Sequence, residues 1–99
     1  MEDSELTILA RIRAKAGREE ELSRELATLV PLTRTEDGCI CYLLHRSNDD
    51  PALFCFVERW RSRQDLDDHL ATPYLQAFLA KAEDLLAEPV AIDSFELLL

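Results

Sequence analysis

LFCFVERWRSRQDLDDHLATPYLQAF, residues 53–78 of a 99-residue chain, reads as a strand, a capped turn and two helical pieces in immediate succession. Leu53, Phe54, Cys55, Phe56 and Val57 form an unbroken apolar run, and Glu58 and Trp60 close it. A strand is predicted over 53–61. Ser62 then stands three residues before Asp65, the spacing of a capping box. In that motif the hydroxyl serves one orphan N–H at the helix start and the carboxylate serves another, which predicts a helix over 63–71. Thr72 and Pro73 repeat the N-cap and first-turn pattern, so a second helical piece begins there. Tyr74, Leu75, Phe78, Leu79, Leu85 and Leu86 give it a broad apolar face. His69 lies beside Leu66 and Leu70, which puts an imidazole and the Trp60 indole N–H at the edge of an apolar interior.

Working outward, residues 39–46 make another apolar strand, and Ser47-Asn48-Asp49-Asp50-Pro51 joins it to the strand at 53. Asn and Asp side chains bond nearby backbone and Pro presets a turn angle, so the two strands should form an antiparallel hairpin. In residues 5–15, Leu6, Ile8, Ala10, Ile12 and Ala14 alternate with Thr7, Leu9, Arg11 and Arg13, the period of a half-buried strand. Gly17 breaks that strand, and Leu22, Leu26, Leu29 and Val30 then fall on one stripe of an amphipathic helix. Pro31 should kink or end the helix, and Gly38 offers a turn conformation before the next strand. Pro89 closes the last helix and a final strand is expected over 90–98. The order β-α-β-β-α-β predicts an α+β, ferredoxin-like fold: one antiparallel sheet with the helices on one face, in a single domain over residues 1–99.

The runs Cys39–Leu44 and Leu53–Val57, expected to be the two central strands, are apolar throughout and lack the alternation of a sheet with one wet face. Helices cover only one side of the sheet, and a bare apolar second side would be a large exposed patch. The sequence therefore predicts a homodimer packed sheet to sheet.

Composition narrows the function classes. Twenty acidic against eleven basic residues give a net charge of −9, a field that opposes nucleic acid and anionic lipid. Glu19, Glu20 and Glu21 fit the positive end of a helix dipole. Cys39, Cys41 and Cys55 are odd in number and lie within apolar runs, which predicts free thiols in a reducing, cytoplasmic setting. The opening MEDSE lacks the basic start of a targeting sequence, and no apolar run reaches the ~18 residues of a membrane span. Cys39, Cys41 and His45 share a strand face in simple alternation, with Cys55 on the neighbouring strand. Side chains two apart on a strand splay rather than converge, so no metal site is expected. Gly17 and Gly38 stand alone, so no phosphate-cradling loop or nucleotide cofactor is indicated.

These elements resemble the antibiotic biosynthesis monooxygenase domain family. The resemblance rests on Asp37-Gly38-Cys39 leading to Tyr42, on Asn48-Asp49-Asp50-Pro51, and on Phe56-x-Glu58-x-Trp60. It continues through Ser62, Leu66, His69-Leu70 and Pro73 to Phe78. It implies a dimeric α+β barrel with a pocket between sheet and helices, lined at the positions of His69, Trp60, Tyr42 and Glu58. The implied activity is cofactor-independent monooxygenation of a quinol, phenol or polycyclic aromatic by O₂. A non-oxidative isomerase or a small-molecule binding module on the same scaffold is the alternative. The haem-degrading branch shares the tryptophan and the helix histidine but uses an asparagine on the first strand, where this chain offers only Thr7, Arg11 and Arg13.

Each residue carries a definite chemical expectation. His69 is the general base, because a neutral imidazole accepts a proton near pH 7; otherwise it hydrogen-bonds a backbone carbonyl. Trp60 either anchors the core or dimer interface, or contacts a ligand through its N–H. Tyr42 either donates to a developing oxyanion or satisfies its own hydroxyl at a barrel end. Glu58 shares a strand face with Phe54, Phe56 and Trp60, so it must be paired or exposed. Arg11, Arg46, Arg59 and Arg61 are the candidate partners, and His69 is another if the two approach hydrogen-bond distance.

Overall fold

In the computed structural model, which describes residues 4–99, β1 (Leu6–Arg13) and β3 (Leu53–Trp60) run antiparallel at the centre of a four-stranded sheet. β2 (Cys39–Arg46) pairs with β3, and β4 (Ala91–Phe95) pairs with β1, giving the order β2-β3-β1-β4, so the strand over 39–46, expected at the centre, lies at the sheet edge and β1 takes its place. Every pairing is antiparallel. The helices are α1 (Glu19–Thr33), α2 (Arg63–Leu70) and α3 (Pro73–Leu85), completing the ferredoxin-like arrangement. The opening residues 1–3, on which the targeting reading partly rests, lie outside the described residues. Among the described residues no helix is long and apolar enough to cross a membrane.

Alternation sorts the central strands into two faces. Ile8, Ala10 and Ile12 on β1 and Phe54, Phe56, Glu58 and Trp60 on β3 point toward the helices and are buried. Leu22, Leu26 and Leu29 of α1, and Leu75, Phe78 and Leu85 of α3, close over them. On the opposite face the register aligns Asp93, Leu9, Val57 and Leu43 in one row across the sheet. A neighbouring row holds Ala91, Arg11, Cys55 and His45. Within the single chain this face is only half-covered.

Several local expectations change. A bulge at Ile40 breaks the alternation of β2, so Cys39 pairs opposite Trp60 on the helix side while Cys41 pairs opposite Arg59 on the other. The two thiols therefore do not share a face, and no cluster able to hold a metal occurs among the described residues. Pro31 is accommodated inside α1, which continues to Thr33; so near the helix end it removes one hydrogen bond and little else. Gly38 has no positive φ. Its need is space: a Cβ there would lie 2.1 Å from the Asp65 side chain. The Ser62 hydroxyl does accept from the Asp65 N–H, but the Asp65 carboxylate takes Ser62 Oγ and Arg61 rather than a backbone N–H. β4 is shorter than the predicted 90–98 and exposed throughout.

Candidate active site

Tyr42 and Glu58 are direct cross-strand partners on the helix-facing side, and Ile8 flanks Glu58 from β1. Across this floor α2 delivers His69, which is 2% exposed. The imidazole lies against two rings, with its centroid 4.7 Å from Trp60 and 5.5 Å from Tyr42. Tyr42 in turn stacks on Phe56 at 4.5 Å. A cavity of about 140 Å³ opens between sheet and helices, lined by Tyr42, Glu58 and His69 among aliphatic and aromatic side chains. Its exposed lining residues are Leu70, Leu79 and Ile92, which places the mouth between the helices and β4.

The fold thus brings together all four residues singled out in the sequence, but gives them different neighbours. Trp60 does not line the cavity; it is fully buried, and its indole N–H donates to Glu58 Oε1 at 2.8 Å. Among the described residues no ion pair joins Glu58 to an arginine: Arg46, Arg59 and Arg61 pair with Glu20, Glu5 and Asp65, and Arg11 lies on the other face of the sheet. Nor does His69 pair with Glu58. His69 Nδ1 meets Glu36 Oε2 at 2.9 Å, and the Tyr74 hydroxyl donates to the same oxygen. Sequence reasoning passed over Glu36, although it stands just before the Asp37-Gly38-Cys39 turn. The Trp60 N–H as donor to Glu58 was likewise not read from the sequence, although the two residues share one buried strand face.

Electrostatics follow from burial. Removal from water favours the neutral form of a carboxyl, and it pushes Glu58 from an ordinary 4.5 to about 7. The Trp60 hydrogen bond opposes that shift and the Glu36 charge reinforces it. Burial, then the Glu58 charge, raises the Tyr42 phenol far above its usual value, so it remains a neutral donor. The Thr33 hydroxyl is near enough to temper that rise but falls outside hydrogen-bond geometry, leaving Thr33 Oγ1 buried without a partner among the described residues. The Arg34 guanidinium donates to the Tyr42 carbonyl at 3.0 Å, tying the end of α1 to β2 beside the cavity.

The model of the antibiotic biosynthesis monooxygenase family matches residues 6–81. The chain belongs to this family. It is 36% identical to a putative monooxygenase, Rv0793, of Mycobacterium tuberculosis, over 90% of this chain and 87% of that protein. It is 28% identical to the probable quinol monooxygenase YgiN of Escherichia coli, over 74% of this chain and 80% of that protein. The crystal structure of PA3566 from Pseudomonas aeruginosa superposes with a TM-score of 0.93 at 38% identity, covering 97% of this chain and 96% of that one. The chain spans 65% of the length of an uncharacterized Synechocystis protein, sll1783, to which it is 34% identical over 96% of its own length.

Proposed function

We propose that this family member is a cofactor-independent monooxygenase acting on a small quinol or phenol. The observation that carries the reading is a largely apolar cavity with a base, His69, and a neutral donor, Tyr42, on its wall. A phenol must lose its proton before it readily gives an electron to O₂. The substrate O–H bond breaks toward His69 Nε2, the ring nitrogen with no hydrogen bond among the described residues. One electron passes from the phenolate to O₂, the radical pair combines at a ring carbon, and the resulting peroxide takes a proton from His69 Nε2 to become a hydroperoxide. Loss of water leaves the oxidised ring with one new oxygen. A hydroquinone and O₂ thus give a hydroxyquinone and water, the substrate losing four electrons and O₂ gaining four. Tyr42 donates to the oxygen that carries negative charge, a role its burial favours by keeping the phenol protonated. Trp60 supports from behind: it holds Glu58, and its ring against His69 stabilises the imidazolium.

Cavity size supports one aromatic ring rather than several, since an apolar protein cavity of about 150 Å³ accommodates benzene. The name quinol monooxygenase in the Escherichia coli relative points the same way. Oxygen uptake with single-ring hydroquinones and with anthrones, for wild type and His69→Ala, tests the assignment. Uptake with one class that collapses in the variant supports it; equal turnover by both proteins removes His69 as the base. A second reading has its own support, because Glu58 near pH 7 and His69 form an acid–base pair at one cavity, as an isomerase needs. Turnover that persists without O₂ favours that reading.

We further infer a homodimer joined through the outer sheet face, supported by the Leu9-Val57-Leu43 row left without a cover. Light scattering at micromolar concentration giving twice the chain mass is the expected result, and a monomer overturns it.

A further inference from the structure

Behind His69, on the side away from the cavity, lies a group of residues that the proposed chemistry leaves unused. Glu36 Oε2 receives the imidazole Nδ1 at 2.9 Å and also the Tyr74 hydroxyl, so two donors converge on one carboxylate oxygen. Neither Glu36 nor Tyr74 lines the cavity. The His69 side chain is 3% exposed and that of Glu36 15%, so a graded path runs from the dry cavity wall toward solvent. Tyr74 is half-buried and its hydroxyl also reaches the Leu32 carbonyl at 3.4 Å.

The backbone holds this arrangement in place. Glu36 N donates to the Thr33 carbonyl at 3.0 Å and Cys39 N to the Glu36 carbonyl at 3.1 Å, making a tight turn after α1. Gly38 in that turn packs directly on Asp65, in the first turn of the helix that carries His69. Arg61 N donates to the Gly38 carbonyl at 2.9 Å, clamping the same turn to the start of α2. The separation of Glu36 and His69 is therefore fixed by backbone contact at both ends, and does not depend on two flexible side chains meeting.

We propose that Glu36, with Tyr74 bound to it, is the positioning residue for His69: it fixes the Nδ1–H tautomer and carries protons from the cavity wall to solvent. A carboxylate accepts and cannot donate, so it selects the imidazole with hydrogen on Nδ1 and a lone pair on Nε2. The Tyr74 hydroxyl, donating to Oε2, leaves that oxygen only the acceptor role toward the ring. When Nε2 takes a proton from the substrate, the Nδ1 proton moves to Glu36, and from its wetter edge to water. The ring is then neutral with its hydrogen on Nε2; as Nε2 gives that proton to the peroxide formed on the substrate, Nδ1 takes one back from Glu36, itself reprotonated by water, and the starting tautomer returns. The other groups facing His69 are the Tyr42 hydroxyl from β2, Glu58 from β3 and Cys39 beside Glu36; none of them hydrogen-bonds Nδ1.

This inference rests on His69 as the base, but its decisive test does not need turnover. Nitrogen-15 NMR of ring-labelled histidine distinguishes a protonated from a bare ring nitrogen. In the wild type at pH 8, His69 Nδ1 is expected to be protonated and Nε2 bare. Glu36→Gln, whose amide also offers a donor, should give a mixed or reversed tautomer, while Glu36→Asp should restore part of the original signal. Tyr74→Phe, which frees Oε2 from its second donor, should broaden the exchange and keep the Nδ1–H form dominant. Near-ultraviolet circular dichroism checks that each variant retains wild-type packing. A wild-type Nε2–H tautomer, or an unchanged spectrum in folded Glu36→Gln, overturns the proposal. With a productive hydroquinone, Glu36→Gln should lower kcat on the order of tenfold with KM unchanged, the pattern of a displaced base. An expected tautomer with no oxygen uptake by any substrate would reject the oxygenase reading and leave the positioning role standing. A changed tautomer with unchanged kcat would reject the link between the two.

Discussion

The two faces of this sheet are built from the same strands and make opposite demands. On the helix side Ile8, Phe56, Glu58 and Trp60 are almost wholly enclosed, and the polar groups among them are held by named partners. On the other side Leu9, Val57, Leu43 and Cys41 are comparably apolar but incompletely covered, and their polar neighbours Arg59 and Glu5 satisfy one another at the edge. One face is organised by chemistry and the other by an unmet need for burial. Because successive residues on a strand alternate between faces, a substitution one position along tests a different property.

The largest effect is expected on the inner face. His69→Ala removes the proposed base while leaving the ring of Trp60 covered by the remaining aromatic side chains. Loss of a positioned general base lowers turnover by about 10²–10⁴-fold. Single-turnover oxidation of a productive hydroquinone under air, followed by absorbance, measures it. Oligomeric state should not change, since His69 is remote from the outer rows of the sheet. A variant that lost association instead would dissolve the separation between the faces.

The reverse experiment is Leu43→Asp. Leu43 is 44% exposed in the single chain, so a carboxylate there is tolerated by the monomer. Enclosed between two sheets it would be an unpaired buried charge, costing the dimer roughly 3–5 kcal/mol. Analytical ultracentrifugation should show a shift to monomer at micromolar concentration, with the cavity residues still folded. An unchanged sedimentation coefficient would place any interface elsewhere.

The two faces also differ in how plainly the sequence announced them. Strand geometry in β1 and β3 was enough to group Ile8 with Ala10 and Phe56 with Glu58, because period two leaves no freedom once the strand is recognised, even where, as in β3, the residue types do not alternate. It failed in β2, where Cys39 through Leu44 are all apolar, with Tyr42 amphipathic, and no pattern marks the bulge at Ile40. That Tyr42, Glu58 and His69 meet at one cavity was legible from local placement and family resemblance, whereas Trp60, expected on the same lining, sits behind it. Their partners were not: Glu36 stands 33 residues from His69, and their meeting depends on Gly38 packing against Asp65. That is a tertiary contact, invisible to any local spacing rule. The expected arginine partner for Glu58 failed for a related reason: Arg11 and Arg59 lie on the opposite face, Arg46 packs over Phe54, and the indole on the same face donates to the carboxylate.

Glu58 supplies a pH test confined to the inner face. Its carboxyl titrates at about 7 when folded against 4.5 ordinarily, because burial disfavours the charge. Between those values the native state keeps a proton that the unfolded chain releases. Stability therefore falls as pH rises through the window from about 4.5 to about 7, and the cost is complete above it. Converted at about 1.4 kcal/mol per unit, the penalty at pH 8 is about 3–4 kcal/mol. Glu58→Gln keeps an acceptor for Trp60 and removes the charge, so urea unfolding should show the variant more stable at pH 8 and nearly equal at pH 4. If the wild-type stability curve is already flat over this window, Glu58 is better solvated in solution than its 5% exposure implies.

The finest comparison lies in two consecutive residues of β1. Ile8→Val trims one methylene from a side chain that is 2% exposed, next to Glu58, and should cost about 1 kcal/mol at every protein concentration. Leu9 points the other way, between Val57 and Asp93. For an isolated chain Leu9→Ala removes a half-covered side chain and costs less than full burial implies, about 1 kcal/mol. In an associated pair the same change also empties an interface position, so its cost should grow as concentration rises above the dissociation constant. Thermal unfolding of both variants over a hundredfold range of concentration separates the two outcomes. Parallel displacements for Ile8→Val and a widening one for Leu9→Ala would tie the outer face to association. Two parallel displacements would mean that the helix side alone supports the fold, and that the outer apolar row is tolerated by a single chain in water.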